Sequence, residues 1–91
     1  MNNRVIVTVL GQDRVGIIAG IATVLAEANI NILDISQTIL QEFFVMIAVV
    51  DLGQATIDLA ELQQRLDEKG KELGLKVTAQ HEDIFRFMHR I

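Results

Sequence analysis

Gly11-Gln12-Asp13-Arg14-Val15-Gly16-Ile17 lies between two apolar runs of different rhythm. Ahead of it, Val5 to Leu10 is β-branched and β-like; behind it, Ile17 to Ala28 repeats with a helical period. A strand that ends on glycine and passes directly into a helix leaves the first helical N–H groups without intrahelical acceptors, at the positive end of the helix dipole. Such a place can hold a carboxylate or a phosphate. Gly11 and Gly16 allow the backbone to turn tightly and to approach a ligand. The same spacing also fits a plain strand-to-helix turn in which Asp13 is the helix cap.

Working outward, the first strand is expected over Arg4 to Leu10, after a short polar lead from Met1 to Asn3. Val5, Val7 and Val9 share one face and Ile6, Thr8 and Leu10 the other, so both faces are largely apolar, as in a central strand. The first helix is expected over Val15 to Ala28, with Ile17, Ile21, Leu25 and Ala28 as its buried stripe. Gly16, Ala19, Gly20, Ala22 and Ala26 keep one side of it thin enough to approach the sheet closely. Asn29-Ile30-Asn31 closes the helix and opens a second strand, Asn31 to Ile39. Strict alternation would put Ile32, Asp34, Ser36 and Thr38 on one face and Asn31, Leu33, Ile35, Gln37 and Ile39 on the other. The polar half marks an edge, or a surface that meets water or a partner.

Gln41-Glu42 reads as a hairpin turn into a third strand, Phe43 to Val50, which is apolar on both faces. After a loop from Asp51 to Ile57, Asp58 and Glu61 form a capping-box pattern for a second helix ending near Leu73. Leu59, Leu62, Leu66 and Leu73 are its buried stripe. Glu61–Arg65 and Asp67–Lys71 lie at i, i+4 on a solvated outer face, and Gly74 is placed to end it. A fourth strand, Leu75 to Gln80, turns Leu75, Val77 and Ala79 inward. The tail from Glu82 to Ile91 is a short amphipathic helix whose Ile84, Phe87, Met88 and Ile91 recur at helical spacing. So short a helix is marginal alone in water and must dock, on its own sheet or on a second chain.

The order strand, helix, strand, strand, helix, strand is the split βαβ, ferredoxin-like α+β arrangement, with strands one and three central and both main helices on one face. Ninety-one residues make a single domain, 1–91. Two helices cover one face of such a sheet. The doubly apolar third strand therefore calls for the tail or a second chain on the other, and a homodimer is the expectation.

Bulk properties narrow the function classes. The chain has no cysteine, which rules out disulfides, thiolate metal sites and a cysteine nucleophile. With no signal-peptide pattern, the expected compartment is the cytoplasm. No apolar run approaches the ~20 residues of a membrane helix. A net charge of −4 without a basic cluster, and the absence of Tyr and Trp, argue against nucleic acid as a direct partner.

With Asn29-Ile30-Asn31-Ile32 added to the Gly11–Ile17 stretch, the chain resembles the ACT domain over almost its whole length. Asp34-Ile35-Ser36-Gln37-Thr38, Phe44 to Val50 and the ending Ile84-Phe85…Met88-His89…Ile91 resemble the small stand-alone ACT proteins of the UPF0237 type. They are also similar to the ACT segments of the glycine-cleavage transcriptional repressor and of formyltetrahydrofolate deformylase. The resemblance implies a regulatory protein that binds an amino acid or related small metabolite at a dimer interface, without a cofactor. It implies that Gly11 and Asp13 lie at the turn, with Asp13 meeting the ligand amino group. The backbone at Val15, Gly16 and Ile17 would meet its carboxylate, and Asn31 would reach the ligand bound on the neighbouring chain. Val15 stands where amino-acid-binding members commonly carry proline. Many ACT domains only dimerise, so the alternative is a dimerisation or protein-interaction module.

Enzymatic readings fit less well. Acylphosphatases share the fold but need an arginine and an asparagine around a glycine-rich phosphate loop. Here Arg14 is the arginine of the first turn, and Asn31 is not placed for that chemistry. Ser36, the only serine, has no histidine near it in sequence. His81 and His89 are eight apart, off helical-face spacing, and two ligands without a third make a poor metal site. Ferredoxin-like metal chaperones use paired cysteines, which this chain lacks.

Overall fold

A computed structural model of the chain describes residues 3–88. Met1 and Asn2 of the polar lead, and His89 and Ile91 of the tail, lie outside the described residues. The elements run β1 (Arg4–Gln12), α1 (Ile17–Glu27), β2 (Asn31–Leu40), β3 (Phe43–Asp51), α2 (Leu59–Leu73), β4 (Leu75–His81) and α3 (Glu82–Met88). The four strands form one antiparallel sheet in the order β2-β3-β1-β4. This is the ferredoxin-like βαββαβ fold, with a short helix added at its end.

The alternation along β1 and β3 explains the core. Val5, Val7 and Val9 lie beside Phe44, Met46, Ala48 and Val50, and Val77 and Ala79 extend the layer across β4. Ile17, Ile21, Val24 and Leu25 of α1 and Leu62 and Leu66 of α2 close it from above. Burying a side chain of this size contributes about 1.5–3 kcal/mol. Asp58 caps α2 as expected, its carboxylate accepting from the Glu61 N–H at 2.8 Å, and Glu61–Arg65 pairs at 2.7 Å. The anticipated Asp67–Lys71 pair does not form; Asp67 accepts instead from Gln63 at 2.8 Å, one turn back.

Four expectations are corrected. First, β1 runs on through Gly11 to Gln12, because Gly11 still pairs with Phe44 and Leu75. Gly11 is thus a packing glycine inside a strand: a Cβ there would lie 2.6 Å from Leu75 Cδ2. Second, α1 starts at Ile17, since Gly16 is in the left-handed region (φ 94°) and Val15 precedes it, 97% exposed. The thin side of α1 at Gly20 faces Leu73 and Lys69 of α2 and not the sheet.

Third, β2 does not alternate strictly. A bulge at Leu33 sits between the pairs Ile32–Val50 and Asp34–Val49. The extra residue moves Ile32 to the helix-covered face beside Ile35, Gln37 and Ile39, and leaves Asn31, Asp34, Ser36, Thr38 and Leu40 on the open face. Fourth, α3 docks by a charged residue. Glu82, 6% exposed, receives Arg4 Nε at 2.9 Å and Arg86 at 2.6 Å. Ile84 and Phe87, expected inward, are 54% and 75% exposed. α3 lies against β1 and β4, at the part of the open face that carries the buried Ile6. Leu10, Phe43 and Ile47, further along that face, stay more than two-fifths exposed.

Candidate functional site

The end of β1 is tied to the β2–β3 hairpin by the Asp13 N–H, which donates to the Glu42 carbonyl at 2.8 Å. That bond holds the turn over the last residues of β2. Arg14 reaches the other way and donates to the Leu73 carbonyl at 3.2 Å, closing the last turn of α2. Gly16 then begins α1 with its carbonyl accepting from the Gly20 N–H at 2.8 Å. It offers no side-chain cap, so the helix opens with N–H groups that lack intrahelical acceptors.

Between this turn and β2 lies a hollow of about 280 Å³. Asp13, Gly16 and the start of α1 form its polar end; Ile17, Ile39 and Phe44 form its apolar wall, with Gln37 on the β2 side. Asp13 is exposed, and its carboxylate takes no partner among the described residues. Larger hollows lie along α2, but charged side chains of its solvated face line them, among them Glu61, Arg65 and Glu68. Among the described residues no group of three or more His, Asp or Glu side chains could hold a metal. No helix among them is long and apolar enough to cross a membrane.

Of the residues expected at a site, Asp13, Gly16 and Ile17 meet in this hollow. Gly11 lies behind it in the sheet, and Val15 projects away into solvent. Asn31 is at the opposite end of β2, in a separate hollow of about 400 Å³ lined by Ala26, Asn29, Ile30 and Gln54. Gln37, Ile39 and Phe44 were missed. The available signal was the hairpin: Ile39 pairs with Phe44 just before the Gln41-Glu42 turn, and that turn takes the Asp13 bond.

The sequence profile of the ACT domain matches residues 3–80. The chain belongs to the ACT domain family. It is 58% identical over 89 residues to a UPF0237 protein of Methanocaldococcus jannaschii, across 98% of this chain and 99% of that one. Among solved structures, an ACT domain protein from Streptococcus pneumoniae superimposes with a TM-score of 0.81 at 39% identity, covering 93% of this chain and 96% of that one. A putative glycine cleavage system transcriptional repressor superimposes with a TM-score of 0.71 at 18% identity, covering 85% of this chain and 44% of that one. At that identity the likeness concerns the fold. Within the ACT sheet the hollow therefore sits between the β1–α1 turn and the edge strand β2.

Proposed function

We propose that this ACT protein is a cytoplasmic regulatory module, not a catalyst, that binds an amino acid or a related small metabolite at the interface of a homodimer. The observation that carries this is the hollow beside Asp13. An acidic side chain and helical N–H groups without intrahelical acceptors line it together with the apolar Ile17, Ile39 and Phe44. A zwitterion fits that arrangement: its ammonium pairs with Asp13, its carboxylate meets the start of α1, and its side chain lies on the apolar wall.

The hollow reaches β2 at Gln37 and Ile39, and the ten residues of that strand are all exposed. Asn31 lies at the far end of that strand, so a second chain running antiparallel along β2 brings its own Asn31 toward Asp13. A thermal-shift screen against the twenty amino acids and their close metabolites tests the reading. A ligand at a hundredfold excess over its Kd stabilises the folded state by about 2.7 kcal/mol, a rise in Tm of roughly 10 °C or more for a domain of this size. That rise is expected to vanish in Asp13→Ala and to shrink in Asn31→Ala. A tight dimer with no ligand response would favour a protein-interaction module, a reading supported by the exposed Leu10, Phe43 and Ile47 on the open face.

A further inference from the structure

α3 carries its anchoring charges and its apolar side chains on opposite faces, and it docks by the charges. Glu82 is the single buried polar or charged side chain among the described residues, 6% exposed. One carboxylate oxygen accepts from Arg4 Nε of β1 at 2.9 Å, and the other from Arg86 of its own helix at 2.6 Å. At 3.6 residues per turn, Arg86 stands about 40° around the helix axis from Glu82, whereas Ile84 stands about 200° and Phe87 about 140° away. Those two apolar side chains therefore point off the sheet, 54% and 75% exposed.

Such docking is conditional. A helix of seven residues does not hold its shape alone in water, so α3 depends on its anchor. Its apolar contribution to that anchor is small, because Ile84 and Phe87 face outward. The carboxylate itself stays buried only while a guanidinium faces it, since removing a partner leaves an uncompensated charge. α3 is thus a unit of low stability on a stable core.

The open face beside it is incomplete in the complementary way. Ile6, under α3, is 7% exposed, but Ile47 and Leu10 are 41% and 49% exposed. Ile6 pairs with Val49 of β3, and two places further along Thr8 pairs with Ile47. Two strand residues span about 6.6 Å and seven helical residues about 10 Å, so Ile47 lies within a helix length of the place where α3 docks. β4 ends at His81 and α3 begins at Glu82. With no linker between them, the helix turns about its own start and does not travel to a distant surface.

We infer that α3 is a strap with two docked states. In the observed state the Glu82 latch holds it by its polar face. In the other it rolls by about half a turn at His81 and Glu82 and lays Ile84 and Phe87 over Ile47 and Leu10. Glu82 and Arg86 then return to water as an i, i+4 pair. Backbone changes at a few element-terminal residues suffice for such a motion. The two states exchange the ion pair to Arg4 for apolar burial, so the Arg4–Glu82 contact decides which prevails. Rolling covers the exposed apolar part of the open face; latching leaves it bare.

The chain has no tryptophan, so Phe87→Trp gives a single emission that reports which face of α3 is outward. In the otherwise unchanged chain the emission is expected to be that of an exposed indole. Adding Glu82→Gln, which cancels the charge with little change of shape, is expected to shift it to the blue. Arg4→Gln, which spares Glu82 and its pair with Arg86, is expected to do the same and carries the test if Glu82→Gln fails to fold. The shift should not depend on protein concentration and should be lost on adding Ile47→Lys. A blue emission before either latch residue is changed overturns the latch. So does an unchanged emission with unchanged chymotrypsin cleavage at α3 after the change. An unchanged emission with faster cleavage means simple release and overturns the second docked state. A blue shift that survives Ile47→Lys, or that grows with protein concentration, overturns closure over this face of the same chain.

Discussion

Gly16 combines an open environment with a restrictive backbone. At φ 94° a side chain is strained, yet a Cβ built there meets nothing within 4 Å. Gly16→Ala is therefore expected to act through the backbone, at a cost of about 1–2 kcal/mol for the left-handed conformation. That corresponds to a fall in Tm of roughly 4–16 °C in a domain of this size, measured by thermal unfolding. Relief of the strain would tilt the N–H groups of Ile17 and Ile18, so any effector found by the ligand screen should bind more weakly, while the dimer mass stays unchanged. Gly11 would respond differently. A methyl there meets Leu75 Cδ2 at 2.6 Å and the Gly74 carbonyl at 3.0 Å, a clash between strands and not a torsional strain. Two glycines that look alike in the sequence thus serve a turn in one case and sheet packing in the other, and only the pairing of Gly11 with Leu75, 64 places on, tells them apart.

The elements were legible wherever local pattern and long-range packing agree. β3 is apolar on both faces and is central; Asp58, Glu61 and Gly74 mark the ends of α2; Leu75, Val77 and Ala79 point inward as alternation requires. Legibility failed where one residue changes the count or one contact outweighs a stripe. Nothing in Asn31-Ile32-Leu33-Asp34 announces a bulge, because it arises from matching β2 to Val49 and Val50 across the ladder. In α3, Glu82 turns inward against the hydrophobic pattern because Arg4, 78 residues earlier, and Arg86 both reach it. The candidate site was half legible for the same reason. Its turn is contiguous, whereas Gln37, Ile39 and Phe44 arrive through the hairpin. Gln63 shows the value of such a contact: its side-chain amide accepts from the Ala79 N–H at 2.7 Å and donates to the Val77 carbonyl at 3.1 Å, on the outer edge of β4. Gln63→Ala removes both partners from the outward groups of β4, at a cost of about 1–3 kcal/mol, and bares a second sheet edge. Urea unfolding should show the lower midpoint, and light scattering should show species larger than the dimer; a midpoint shift without larger species would mean that α2 alone shields β4.

Binding and assembly are one equilibrium if the effector touches both chains. In the proposed dimer Asp13, Gly16 and Ile17 would come from one copy and the other would supply groups from the far end of β2, so a monomer would offer only part of the contact surface. Linkage then requires that dimerisation raise effector affinity by the factor by which the effector tightens the dimer. The Tm rise produced by a saturating effector should therefore depend on protein concentration: full well above the dimer dissociation constant, and smaller after dilution below it. The open face supplies the control. Ile47 is 41% exposed and lies on β3, one strand in from the edge. Ile47→Lys should leave both the dimer mass and the concentration dependence as they are, because the proposed pairing along β2 would run through the edge and not across the face. Sedimentation of the two proteins with and without effector distinguishes the cases. If Ile47→Lys dissociates the dimer, the sheets pack face to face over Leu10, Phe43 and Ile47. The hollow beside Asp13 would then be a site within one chain, and its affinity would no longer vary with protein concentration.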